Sequence, residues 1–225
     1  MKPFYKINPD NNTLIETNLI YTPYVDGNRL RMCFDHTNAY QTTALESWLP
    51  SRPYYTKEMV QFFFEREIKY ITALKDYAWA PQNIVIDNNA QTVEFDFPGE
   101  TCNQIVYGGR SLNEECPDWQ TQMQIILKDI VSAGYYKTSL YPHCYFIDNG
   151  TLRTFDFYGC VERKDPYVKL DNIRGMIGET SGPRFVEATE DDKLNIEILF
   201  KGAMLRYVEW PDNALPKIYQ ELFND

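Results

Sequence analysis

The sequence predicts an α+β fold: a small, strand-rich N-terminal part followed by a mainly helical C-terminal part. Three observations predict it. Residues 29–34 alternate polar and apolar as a half-buried strand should, residues 56–77 carry apolar side chains at helical spacing, and residues 134–159 read as loop, strand, tight turn and strand. A chain of 225 residues with 44% hydrophobic content can build one sizeable domain or two small lobes, and is too apolar for bulk disorder.

Residues 1–50 are expected to be strand-rich and irregular. Asp26-Gly27-Asn28 is a turn signal, and it leads into a strand that puts Arg29, Arg31 and Cys33 on one face and Leu30, Met32 and Phe34 on the other. Residues 35–55, with Pro50 and Pro53, form a connection. A helix runs from Thr56 to about Tyr77 on a stripe of Val60, Phe64, Ile68, Ile71 and Leu74. Glu67 falls at the margin of that stripe. A carboxylate there either reaches water at the edge or pairs with a cation, because burying it alone is costly.

Strands over Asn83–Asp87 and Thr92–Phe97 follow, then a loop over 99–117 containing Gly108-Gly109 and Pro117. Asp118 caps a second helix reaching Ala133, with Trp119, Met123, Ile126 and Ile130 as its stripe and Gly134 as its stop. Residues 159–190 are polar and broken, which in a compact domain usually marks function or mobility. A helix over 191–208 is apolar nearly all round and needs burial on every side. A last helix spans about 215–223.

The segment 134–159 holds the densest signal. Tyr145, Phe146 and Ile147 enter Asn149-Gly150, two residues suited to the positive φ of a type I′ turn, and Leu152 and Phe155 leave it. The second strand delivers Asp156 into Asp-Phe-Tyr-Gly. Asp156 is either a ligand holder at a strand end or a solvated acid on a surface hairpin.

The net charge of −10 argues against a bulk nucleic-acid binder, which must neutralise phosphates. No window has the length and apolarity of a membrane span, and the N-terminus has no signal-like apolar core, so the expected location is cytoplasmic. Five cysteines without a Cys-x-x-Cys, and two histidines, His36 and His143, argue for reduced thiols and against zinc. His143 and Cys144 are neighbours in sequence, a poor arrangement for a nucleophile and its base.

This order of elements resembles the protein-kinase-like fold in its smallest versions. The resemblance is carried by residues 134–159. Pro142 meets the catalytic-loop proline, Asn149-Gly150 the hairpin turn, and Asp156-Phe157 the Asp-Phe of Asp-Phe-Gly, with Tyr158 inserted before Gly159. It implies an N-lobe over 1–98 and a C-lobe over 99–225, with residues 95–99 as hinge. It also implies ATP and magnesium as candidate cofactors, Asp156 as metal ligand, and Glu67 as the helix glutamate that pairs with a strand lysine. Arg31, or else Arg29, stands at that lysine's position.

Several positions depart from the family pattern. Ser139 occupies the catalytic-base position and Cys144 the metal-binding amide position, and no glycine-rich phosphate loop precedes them. A thiol is a poor ligand for a hard ion, and losing one oriented electrostatic contact commonly costs about a hundredfold in rate. His143 could compensate as base or ligand, or be a loop histidine bonded to backbone; Lys137 could supply positive charge. The resemblance therefore implies a degenerate kinase-like protein, a pseudokinase that binds a protein partner with or without a nucleotide. The alternatives are an active atypical phosphotransferase using Asp156, and an unrelated α+β protein in which Asp156 is structural. Neither a nucleic-acid nor a membrane partner is expected.

Overall fold

The computed structural model describes residues 2–3, 5–7, 14–16, 21–34, 57–137, 139–162, 210–215 and 217–218. The α+β class holds. Contacts divide the chain into two compact units, Met1–Pro117 with His143–Tyr158, and Asp118–Pro142 with Gly159–Asp225.

The first unit is built on a five-stranded antiparallel sheet in the order β1-β4-β5-β7-β6. Its strands are β1 (Lys2–Pro3), β4 (Thr22–Asp26), β5 (Arg29–Cys33), β6 (Val85–Asp87) and β7 (Thr92–Asp96). A separate pair, β2 (Tyr5–Ile7) and β3 (Leu14–Glu16), precedes β4. Gly27 at φ 61 makes the tight β4–β5 turn, where Asp26 faces Arg29. The expected alternation of β5 is present: Leu30, Met32 and Phe34 are fully buried, while Arg29, Arg31 and Cys33 are half-buried.

Helix α1 (Lys57–Leu74) lies in sequence between β5 and β6. Its buried side is Val60, Phe63, Phe64, Glu67, Tyr70, Ile71 and Leu74, and Phe64 packs on Phe34 with centroids 5.4 Å apart. This corrects the sequence reading in one respect. The stripe runs through Glu67, which is 0% exposed, and Ile68 is the residue at the margin. Spacing alone assigns Glu67 to an edge because it discounts a carboxylate; a backbone donor, described below, makes its burial tolerable.

Residues 99–117 are also more ordered than a loop. Thr101 caps α2 (Cys102–Tyr107) in a reciprocal capping box with Gln104, and Ser111 caps α3 (Leu112–Glu115).

The hairpin of β9 (Tyr145–Asp148) and β10 (Thr151–Thr154) turns at Asn149 (φ 49) and Gly150 (φ 76), as the sequence predicts. Phe146 and Phe155 from the hairpin pack on Phe95 and Phe97 beside it. Phe95 to Phe155 is 5.6 Å and Phe97 to Phe146 is 5.3 Å, each pair adding about 0.5–1.5 kcal/mol beyond burial. Arg153 ties the hairpin to the residues after α1, donating from Nη1 to Ala78 O at 2.6 Å and Ala80 O at 2.8 Å.

In the second unit, α4 (Trp119–Ser132) buries Trp119, Met123, Ile126, Leu127 and Ile130. Asp118 precedes it but its side chain does not cap the backbone; it accepts from Gln122 Nε2 instead. Gly134, at φ 87, ends the helix as expected. The chain passes into β8 (Tyr135–Lys137), which pairs with β11 (Cys160–Glu162). Trp210 stacks on Trp119 at 5.4 Å and donates from Nε1 to Leu140 O at 2.7 Å.

The helix expected over 191–208 and the irregular stretch beyond 162 lie outside the described residues, as does the last helix apart from residues 215, 217 and 218. Among the described residues no helix is long and apolar enough to cross a membrane. No disulfide joins the five cysteines.

A Cβ built on Gly150 meets nothing within 4 Å, so Gly150→Ala introduces backbone strain without a clash. Urea unfolding is expected to show a loss of about 1 kcal/mol, the cost of placing an L-residue in the left-handed region.

Candidate functional site

Asp156 stands just past β10, where the chain turns from strand into the short 3-10 turn Phe157–Gly159. It adopts φ 70, a left-handed conformation that Asp tolerates better than most residues, and is 2% exposed. Cys144 governs this corner. Its carbonyl accepts from Phe155 N at 3.0 Å and from Thr154 Oγ1 at 3.1 Å, and its thiol donates to Asp156 Oδ2 at 3.2 Å. Cys144 is 1% exposed. Asp156 is therefore a buried acid held by a thiol, and not a solvated acid on a surface hairpin.

Two residues on, the backbone of Tyr158 is held on both sides by consecutive residues of α1. Its N–H donates to Glu67 Oε2 at 2.6 Å, and its carbonyl accepts from Arg66 Nε at 3.0 Å. Arg66 is 5% exposed; its guanidinium lies 5.3 Å from the Phe62 ring centroid and 5.2 Å from that of Tyr70. The Tyr158 ring makes edge contacts with Phe63 at 5.4 Å and Tyr21 at 6.1 Å. Tyr21 is buried in this cluster. Its burial, followed by the charges of Asp156, Cys144, Tyr158 and Glu67, pushes its hydroxyl well above the usual tyrosine range, so it stays protonated.

The structure thus brings Glu67, Cys144 and Asp156 into one buried polar cluster with Tyr21, Arg66 and Tyr158. His143 is buried beside Cys144, in the 3-10 turn Pro142–Cys144. Lys137 and Ser139 belong to the second unit. Lys137 is fully buried at the end of β8, opposite Cys160, and Ser139 is buried next to Leu140, whose carbonyl the Trp210 indole binds.

Arg31 and Arg29 are engaged on the sheet itself. Both meet Glu94 on β7: Arg31 Nε lies 2.7 Å from Oε2, and Arg29 Nε lies 2.8 Å from Oε1. Arg29 also pairs with Asp96 at 2.7 Å and donates to Asn83 O. The β5–β7 register explains this, because it sets Arg31 opposite Glu94 and Arg29 opposite Asp96.

Tyr21, Arg66 and Tyr158 are the members of the cluster that sequence reasoning missed. Arg66 adjoins Glu67 on the helix, and only the three-dimensional approach of Tyr158 gives it a role. Tyr158 was legible as the extra residue in Asp-Phe-Tyr-Gly, without any indication of what it touches.

No family model and no curated protein matches the sequence. Among solved structures, the chain is similar to WbdD co-crystallised with the kinase inhibitor LY294002, at 16% identity and a TM-score of 0.46 over 97% of this chain and 47% of that one. It is also similar to monomeric WbdD, at 13% identity and a TM-score of 0.44 over 89% and 44%. The chain spans less than half the length of either. Likeness of this degree decides neither activity nor ligand.

Burial works to raise the pKa of Glu94, but the hydrogen bonds from Arg29 and Arg31 outweigh it and hold the carboxylate below its ordinary value. A depressed carboxylate stabilises the fold above its unfolded pKa, about 4.3, and loses that contribution as pH falls through the lower folded value. Glu94→Gln is expected to be less stable than wild type at pH 7. Urea titrations at pH 7 and pH 3 should show the gap narrowing in acid; an unchanged gap would count against this network.

Proposed function

We propose that this chain is a degenerate kinase-like module that acts by binding a protein partner and not by transferring phosphate. The order of elements supports the kinase-like part. A helix between the third and fourth strands of the five-stranded sheet turns a buried glutamate toward an Asp-Phe corner, and a hairpin delivers that corner, as the fold requires.

One observation carries the degenerate part: the thiol of Cys144 is hydrogen-bonded to Asp156 Oδ2 where the kinase pattern asks for an amide and an acid on a metal. Magnesium takes hard oxygen ligands in near-octahedral array. The protein donors here are one carboxylate and one thiol, and a thiol in place of the amide is a poor ligand for a hard ion. These residues do not fit magnesium, so the proposed action uses no step through it.

The aromatic packing supports the same reading. Phe95 and Phe97 of the sheet side meet Phe146 and Phe155 of the hairpin directly. A purine entering between them would have to part rings that are at most 2% exposed. In this reading ATP is not required for partner binding.

A thermal-shift titration tests the proposal. A site with a Kd of about 10 µM would gain about 2.7 kcal/mol at about 1 mM ligand, enough to raise the Tm of a chain this size by about 5–10 °C. The expected result with ATP and magnesium is a shift below about 1 °C. A shift of several degrees that needs magnesium and disappears in Asp156→Asn, together with radiolabel transfer, would favour an active phosphotransferase.

A further inference from the structure

The backbone of Tyr158 is gripped from one helix turn through both its N–H and its carbonyl. The two gripping side chains, Arg66 and Glu67, are adjacent in sequence, 5% and 0% exposed, and opposite in charge. A donor facing a carboxylate and a carbonyl facing a guanidinium are both charge-assisted hydrogen bonds, the stronger class. The Tyr158 ring adds a second hold, set edge-on between Phe63 of α1 and Tyr21. Just upstream, Asp156 sits at φ 70, a conformation that persists only where its surroundings impose it.

We infer that Arg66 and Glu67 form a built-in latch that closes the 156–158 turn onto α1, so that helix and turn open together or not at all. Its reasoning is geometric. Moving α1 away would strip both charged side chains of these bonds in a buried setting, and releasing the turn would leave the Tyr158 amide and carbonyl to find other partners. Neither element has a low-cost path to move alone. The inference stands on this chain's own geometry and does not depend on the kinase-like reading above.

Native-state hydrogen exchange on the full chain tests it. Across a series of low denaturant concentrations, the Tyr158 amide and the α1 amides of residues 66–71 are expected to exchange through one shared opening, with matching denaturant dependence. In Glu67→Gln, which keeps an acceptor but loses the charge, both sets are expected to exchange about tenfold faster, while the β4–β5 amides stay at the wild-type rate. A Tyr158 amide that exchanges independently of α1 in the wild type would overturn the latch. So would acceleration at Tyr158 alone in the variant. The wild-type series decides the matter by itself if the variant does not fold.

Discussion

Glu67 is buried in the middle of a helix face, and the fold tolerates it because the Tyr158 amide donates to it. An ionised carboxylate in that position without such a donor would cost several kcal/mol or give up its charge. Much of the first unit is arranged around meeting this condition. Helix α1 must present Glu67 and Arg66 to the same residue, the hairpin must end where the backbone of that residue can reach them, and Asp156 must take up a left-handed conformation. Arg153 fixes the hairpin to the residues after α1, so the middle of the helix and the stretch beyond its C-terminus are both tied to the hairpin or to the turn that follows it.

The elements whose signal is local were legible. The β5 alternation, the Asn149-Gly150 turn and the α4 stripe each depend on residues close in sequence, and each is found where the pattern puts it. Residues 99–117 were misread although Thr101 and Gln104 stand at capping-box spacing, because the nearby glycines and Pro117 dominate the local composition. The site was half legible. Asp156 and Glu67 were singled out as candidates, and both lie in the buried cluster, where Asp156 meets Cys144. The Tyr158 donor to Glu67 was not legible, because it lies 91 residues away and is a main-chain amide that any residue except proline could supply.

Charge is handled differently in two parts of the first unit. On the sheet, Arg29, Arg31, Glu94 and Asp96 pair side chain to side chain across neighbouring strands, partly in water. Such pairs contribute modestly and respond to salt. In the buried cluster, Arg66 and Glu67 spend their charge on the backbone of Tyr158, and Tyr21 remains a neutral phenol beside the acids. The strand arginines are thus taken up by strand acids.

Cys144 also limits what its own position can hold. Its carbonyl holds two groups of the hairpin exit and its small side chain fills a site that is 1% exposed. An asparagine there is larger, and overpacking a closed site costs about 1–3 kcal/mol. The thiol suits the closed space, and Cys144→Asn is accommodated only where the packing at the hairpin exit gives way.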